Sequence, residues 1–246
     1  MRRTRIRTLT PVVAALAATA FAAGCGSHGA SAHSSTGPVA PSVRPADFSS
    51  RVDNSWFPLT PGTTLTYTGT KDGKAARDVF TITRETRTVG GVSCTVVRDN
   101  LYLDGKLAER TIDWYAQDRV GNVWYFGEET AELDESGKVT STEGSWEAGK
   151  DGAQPGIFMP ANPAVGQTFR QEYYKGQAED HFQVLDLAVA VNVPGTPTKT
   201  ALLTKEWTPL EPEVIDQKYY VRGIGTVREE SVRGANEGLT LVSVTR

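Results

Sequence analysis

This 246-residue chain carries two cysteines, two methionines and three histidines. Each scarcity removes a class of chemistry. Two cysteines cannot make a disulfide framework. His28 and His33 lie in a Ser/Gly-rich stretch and read as solvated spacer. His181 is then alone in the rest of the chain, beside Asp180. Neighbours in a strand point to opposite faces, so these two do not form a catalytic base and its orienter. H-E-x-x-H is absent, and no metal or cofactor is expected. Ser93, in Gly91-Val92-Ser93-Cys94-Thr95, lacks the second glycine of a nucleophile elbow. Gly223-Ile224-Gly225 lacks the third glycine of a nucleotide loop, since Arg228 stands there, and reads as a bend in a strand. Helix signals are missing as well: no window of about 12 residues shows a capped apolar stripe.

Basic charge is outnumbered by acid beyond the N-terminus. Arg2, Arg3, Arg5 and Arg7 precede an alanine-rich apolar run over residues 9–23, too short to span a bilayer permanently. Phe21-Ala22-Ala23-Gly24-Cys25 follows and resembles the lipobox of bacterial lipoproteins, with Ala22 where leucine is usual. The resemblance implies that residues 1–24 are a signal peptide and that Cys25 carries lipid. Arg2-Arg3 fits a twin-arginine signal poorly. Losing four of the 26 bases leaves 22 against 29 acids, a net charge near −7. Such a chain is a poor partner for nucleic acid or for an anionic bilayer through basic contacts. Membrane attachment is therefore expected through Cys25, on the outer face of the cytoplasmic membrane. Residues 25–45, rich in Ser, Ala, Gly and Pro, read as a disordered tether. Residues 46–246 read as a single β-rich extracytoplasmic domain.

Within that domain, Asp72-Gly73, Gly90-Gly91, Asp104-Gly105, Gly121-Asn122, Ser136-Gly137 and Lys175-Gly176 recur at hairpin spacing. The runs between them favour Thr, Val, Tyr, Trp and Ile. The expected fold is all-β: an antiparallel meander of about ten to twelve strands forming a curved sheet, half-barrel or barrel. Residues 144–163 read as a long loop packing Trp146, Ile157, Phe158 and Met159 over a barrel mouth. A two-residue turn at Asp104-Gly105 sets Leu103 opposite Lys106, Asp99 opposite Arg110 and Val97 opposite Ile112. A three-residue loop at Arg119-Val120-Gly121 sets Ala116 opposite Trp124, Tyr115 opposite Tyr125 and Trp114 opposite Phe126. These registers put Cys94, Val96, Asp113, Tyr115 and Tyr125 on one face. Val97, Leu101, Ile112, Trp114, Trp124 and Phe126 share the other. Both faces are partly apolar, so a cover or an enclosed interior is required.

Asp113, Tyr115, Tyr125 and Glu128 are the candidate ligand-binding residues, a carboxylate set among tyrosines. The run Glu128, Glu129, Glu132, Asp134 and Glu135 otherwise reads as a solvated hairpin edge, without EF-hand spacing. Cys94 reads as a buried structural thiol.

Tyr219-Tyr220-Val221-Arg222-Gly223-Ile224-Gly225-Thr226-Val227-Arg228 resembles a late-strand pattern of exported bacterial β-rich proteins. Asp53-Asn54-Ser55-Trp56-Phe57-Pro58-Leu59 and Asp113-Trp114-Tyr115-Ala116-Gln117-Asp118 are similar to an uncharacterised lipoprotein family of high-GC Gram-positive bacteria. The meander distantly resembles the half-barrels of lipoprotein carriers, which hold acyl chains. The resemblance carries no activity. The leading expectation is a non-enzymatic, membrane-anchored protein binding an apolar ligand or an envelope protein on a concave aromatic face. A carboxylate-dependent envelope hydrolase using Asp113 or Glu128 is the alternative, and a structural surface protein the second. Oligomeric state is left open.

Overall fold

The computed structural model describes residues 43–246 apart from 195, 198 and 199. The expected signal peptide, Cys25 and nearly all of the expected tether lie outside the described residues. The described chain is all-β, with one 3₁₀ turn at Pro45–Asp47. Its strands are β1 (Phe48–Ser49), β2 (Thr64–Lys71), β3 (Lys74–Val89), β4 (Val92–Leu103), β5 (Lys106–Asp118) and β6 (Val123–Leu133). Then come β7 (Val139–Ser141), β8 (Trp146–Glu147), β9 (Gln154–Met159), β10 (Thr168–Arg170), β11 (Glu172–Tyr173) and β12 (His181–Val189). The last six are β13 (Asn192–Val193), β14 (Thr196–Pro197), β15 (Ala201–Trp207), β16 (Ile215–Val221), β17 (Gly225–Arg233) and β18 (Gly238–Thr245). These 18 strands exceed the ten to twelve expected, because short ladders break the long connections.

The class and the meander are as expected. The main sheet runs β10-β12-β15-β16-β17-β18-β2-β3-β4-β5-β6-β9-β11, and the pairings along it are antiparallel. The last strand pairs with β2, joining the two ends of the domain. The two sheet ends, β10 and β11, belong to one stretch, residues 168–173. Its first half pairs with β12 and its second with β9, so the sheet bends into a nearly closed barrel. Asp72 and Gly73, with φ of 52 and 73°, and Asp104 and Gly105, with φ of 49 and 82°, take the left-handed conformation of tight hairpins.

Two expectations change here. Residues 144–163 are not a loop: β9 is a wall strand beside β6, and β8 pairs with β6 as well. Arg222-Gly223-Ile224 is the turn between β16 and β17, which Gly225 opens, and the Gly223 N–H holds the Ser55 carbonyl at 2.8 Å.

The wall has two faces, and both are used. Outside, Trp124 and Phe126 are covered edge-on by Phe48 from β1, at 5.7 and 5.3 Å between ring centres. The Arg87 guanidinium lies 3.9 Å over the Trp114 ring and pairs with Glu147 at 2.7 Å. Inside, one end of the barrel is plugged by residues 52–59. Asn54 pins the plug: Oδ1 accepts from the Trp56 and Phe57 amides, and Nδ2 donates to the Gly121 and Pro160 carbonyls. Gln117 Oε1 accepts from the Asp53 and Asn54 amides. At the other end, nearer the Asp72-Gly73 and Asp104-Gly105 turns, the inner-face residues Leu101, Glu132, Glu229 and Leu239 are only half-buried.

At the seam, a Cβ added to Gly156 would stand 2.2 Å from the Arg170 carbonyl oxygen. Two backbones meet there and neither can yield without breaking its ladder. Gly156→Ala should therefore destabilise the protein by on the order of 3 kcal/mol, read as a lower urea midpoint.

Candidate functional site

Two β-bulges decide which side chains face inward. On β5, Leu101 pairs with Glu109 and Tyr102 with Leu107, leaving Ala108 as an extra residue. Beyond it the register slips by one from that expected. Asp99 faces Thr111 instead of Arg110, and Val97 faces Asp113 instead of Ile112. Thr95, not Cys94, then shares a face with Tyr115. Cys94 and Val96 lie on the opposite, outward side, a correction to the expected grouping. On β6, Tyr115 pairs with Tyr125 as expected, but Trp114 pairs with Gly127, so Phe126 is the extra residue. Gly127 sits at φ 134°, and a Cβ on it would meet the Trp146 carbonyl oxygen at 2.3 Å.

The second bulge builds the site. Residues 125 and 128 would fall on opposite faces of a regular strand. With Phe126 looped out, Glu128 joins Asp113 and Tyr125 inside. All four candidate residues thus come together: Asp113 is 5 % exposed, Tyr115 1 %, Tyr125 5 % and Glu128 1 %. The acidic run is split. Glu128 is buried, Glu129 is exposed, and Asp134-Glu135 form the turn.

Tyr125 and Tyr115 stack at 4.8 Å. Phe158 from β9 and Phe57 from the plug pack against Tyr115 at 5.1 and 5.4 Å, and Trp146 packs edge-on against Tyr125. This cluster is an aromatic floor over the plug. The Tyr125 hydroxyl bridges two carboxyls, 2.5 Å from Asp113 Oδ1 and 3.0 Å from Glu128 Oε2. A phenol carries one proton. It can donate fully to one carboxyl, and the other contact becomes a second hydrogen bond when that carboxyl brings a proton. Burial, then the nearby carboxylates, pushes the Tyr115 and Tyr125 phenols up, so both remain protonated donors.

Above the floor, the inner face carries more acid than the sequence suggested. Glu206 accepts from Lys218 at 2.6 Å, from Thr204 at 3.0 Å and from Tyr220 at 3.2 Å. Burial opposes the Lys218 charge, but Glu206 and Glu229 outweigh it and hold the ammonium protonated. Tyr67 reaches from β2 to donate to the Thr226 carbonyl at 2.9 Å. Opposite Tyr67 stands Asp78, 2 % exposed. Its carboxyl lies against that of Asp99: two acceptors, with no donor between them unless one is protonated. Burial pushes Asp78 up to about 6. Burial, then the Asp78 charge, pushes Asp99 up as well. None of Asp78, Lys218 or Glu229 was singled out in the sequence, and Asp99 only as a cross-strand partner of Arg110. The bulge that puts Asp99 on the same face as Asp113 and Tyr115 leaves no compositional trace.

His181 stacks on Trp207 and contacts the Glu179 carbonyl. Among the described residues no group of three or more His, Cys, Asp or Glu is arranged to hold a metal. Cys94 is wholly buried, and burial pushes its thiol up to about 12. It should resist alkylation by iodoacetamide at neutral pH until denaturant is added.

Asp78 ties the inner face to pH. Its ordinary value is 3.8, and it is raised to about 6 in the fold. The fold therefore favours the protonated acid. That stability is complete below about pH 4 and is lost as pH rises through about 6. Asp78→Asn should leave stability unchanged near pH 4 and raise it by on the order of 3 kcal/mol at pH 7.5, measured by urea unfolding at both pH values.

No family model matches the chain, and no curated protein matches it. Among solved structures, it is similar to one from Bacteroides fragilis provisionally described as an exported protein with a YmcC-like fold. The TM-score is 0.45 with 17% identity, over 78% of this chain and 100% of that one. A second, from Parabacteroides distasonis and provisionally described as a lipoprotein, has a TM-score of 0.39 with 10% identity, over 78% and 99%. At these scores neither likeness carries a family or a function to this chain.

Proposed function

We propose that this chain is a non-enzymatic binding protein of the cell envelope, anchored through lipid on Cys25, that holds a small ligand with an apolar body inside its barrel. One observation carries the reading. The inner face sets carboxyls and phenols from β2, β3, β4, β5, β6, β16 and β17 around an aromatic floor. A wall built only to be stable would carry aliphatic side chains there, because buried carboxyls cost free energy. The plug closes one end; in this reading the ligand enters at the other, where inner-face residues near the hairpin turns are half-buried. Phe57, Tyr115 and Phe158 supply the apolar contact; Asp113, Glu128 and the Tyr125 hydroxyl supply orientation.

Hydrolysis is the weaker reading. A carboxylate pair that cleaves a bond needs the scissile atoms between its members. Between Asp113 and Glu128 stands the Tyr125 hydroxyl, hydrogen-bonded to both and stacked beneath Tyr115.

Two measurements test the proposal. Cells fed radiolabelled palmitate should label the wild-type chain and not Cys25→Ser; equal labelling of both removes the anchor. Native mass spectrometry of the full chain in non-ionic detergent should show a bound small molecule. Tyr125→Phe, which keeps the ring and loses the bridging hydroxyl, should reduce the occupied fraction several-fold. An empty wild-type barrel after extraction from its own cells would overturn the binding role.

A further inference from the structure

The floor accounts for an apolar body but not for the acids above it. Asp78 is 2 % exposed, and its carboxyl meets only another acid, that of Asp99, which can donate to it only while protonated. Asp99 Oδ1 and Glu229 Oε2 are buried without a donor as well. These acids come from β3, β4 and β17, and all act on the Tyr67 phenol, so they lie around one side chain of the inner face. Lys218, paired with Glu229 across the β16–β17 ladder, gives its ammonium to Glu206 at 2.6 Å. Rings stand beside the acids: Tyr67 is directly opposite Asp78, and Phe80 is directly opposite Asp99.

Acceptors without donors, packed among ring faces, fit one kind of group. It must bring positive charge and several N–H donors, and it must tolerate aromatic contact. An ammonium has three donors and is attracted to ring faces. Carboxylate or phosphate would add negative charge to a negative site. A hydroxyl brings one donor for several acceptors. A divalent cation needs a denser oxygen shell.

We propose that the barrel binds an organic amine, with its ammonium seated between Asp78 and Asp99 and its apolar body against Phe80 and the aromatic floor. This rests on reading the interior as a ligand chamber. The acids set the specificity: a ligand of the same shape without the charge leaves the pair facing itself.

The test is calorimetric titration of the full chain, in non-ionic detergent near pH 7.5, with 2-phenylethylamine, 2-phenylethanol and 3-phenylpropionate. The three share a ring and differ in charge. The amine should bind at least tenfold more tightly than the alcohol, and the carboxylate should not bind. Asp78→Asn should weaken the amine at least tenfold and leave the alcohol unchanged. Asp99→Asn should do the same, and it decides the matter if the first variant does not fold. Equal binding of the amine and the alcohol, or amine binding indifferent to both substitutions, overturns the amine and leaves the chamber standing. Calcium chloride alone giving an Asp78-dependent signal overturns it in favour of a metal. Absence of binding by all three compounds overturns the amine; the chamber then falls only if native mass spectrometry also finds the barrel empty.

Discussion

Residues 168–173 must satisfy hydrogen bonds on both of their edges, and the barrel depends on that constraint. An open sheet of this length would leave two unpaired edges and expose its inner face. Here the first half of the stretch completes β12 and the second half completes β9. Gln171, between the halves, still gives its amide to the Asp180 carbonyl at 2.8 Å. The Arg170 side chain bridges to Gln154 at 2.7 Å. Gly156 lets the two backbones approach. With the wall drawn round, carboxyls from non-adjacent strands come within electrostatic reach of one another. Tyr115 on β5 then senses Tyr220 on β16.

Parity along the strands is the second control. A regular antiparallel ladder alternates its faces without exception, so one extra residue exchanges inside for outside beyond it. Ala108 does this for β5, and Phe126 does it for β6. The first bulge turns Asp99 toward Thr111 and away from Arg110. The second brings Glu128 beneath the Tyr125 hydroxyl. A regular wall would have put the Asp99–Arg110 pair in solvent and Glu128 on the outer face. The interior would then have been more apolar and the site absent.

Much of the fold was legible because it is encoded locally. Asp72-Gly73 and Asp104-Gly105 carry their turn geometry in two residues, and they form the hairpins expected of them. The three-residue loop before Asn122 gave the right partners for Tyr115 and Ala116. Asp113, Tyr115, Tyr125 and Glu128 do converge. What the sequence could not display is the bulges, since Ala108 and Phe126 are ordinary strand residues. Opposite charges at Asp99 and Arg110 favoured the register that is not formed. Trp146 and Phe158 looked like loop residues because Pro155-Gly156 interrupts their alternation; the seam requires that interruption. The motif Asp53-Asn54-Ser55-Trp56-Phe57 gave no sign of being a plug, because the groups that hold Asn54 lie 67 and 106 residues away.

The two ends of the interior then differ for a physical reason. At the plugged end the rings of Phe57, Tyr115 and Phe158 exclude water, and their edge-on contacts contribute about 0.5–1.5 kcal/mol each beyond burial. Stability is supplied there. Toward the opposite end the same wall places Asp78 and Asp99 together, with no donor between them unless one is protonated. Replacing buried ionic groups by packed apolar ones is often neutral or stabilising, so these acids do not hold the barrel up. Burial raises both carboxyls, and the fold carries that cost while the rings beneath carry the stability. Glu206 shows what a buried acid looks like when the wall itself satisfies it, with Lys218, Thr204 and Tyr220 all donating. Asp78 has none of these, on the same face of the same sheet. The contrast separates an acid that the wall itself satisfies from one that it leaves facing a second acid.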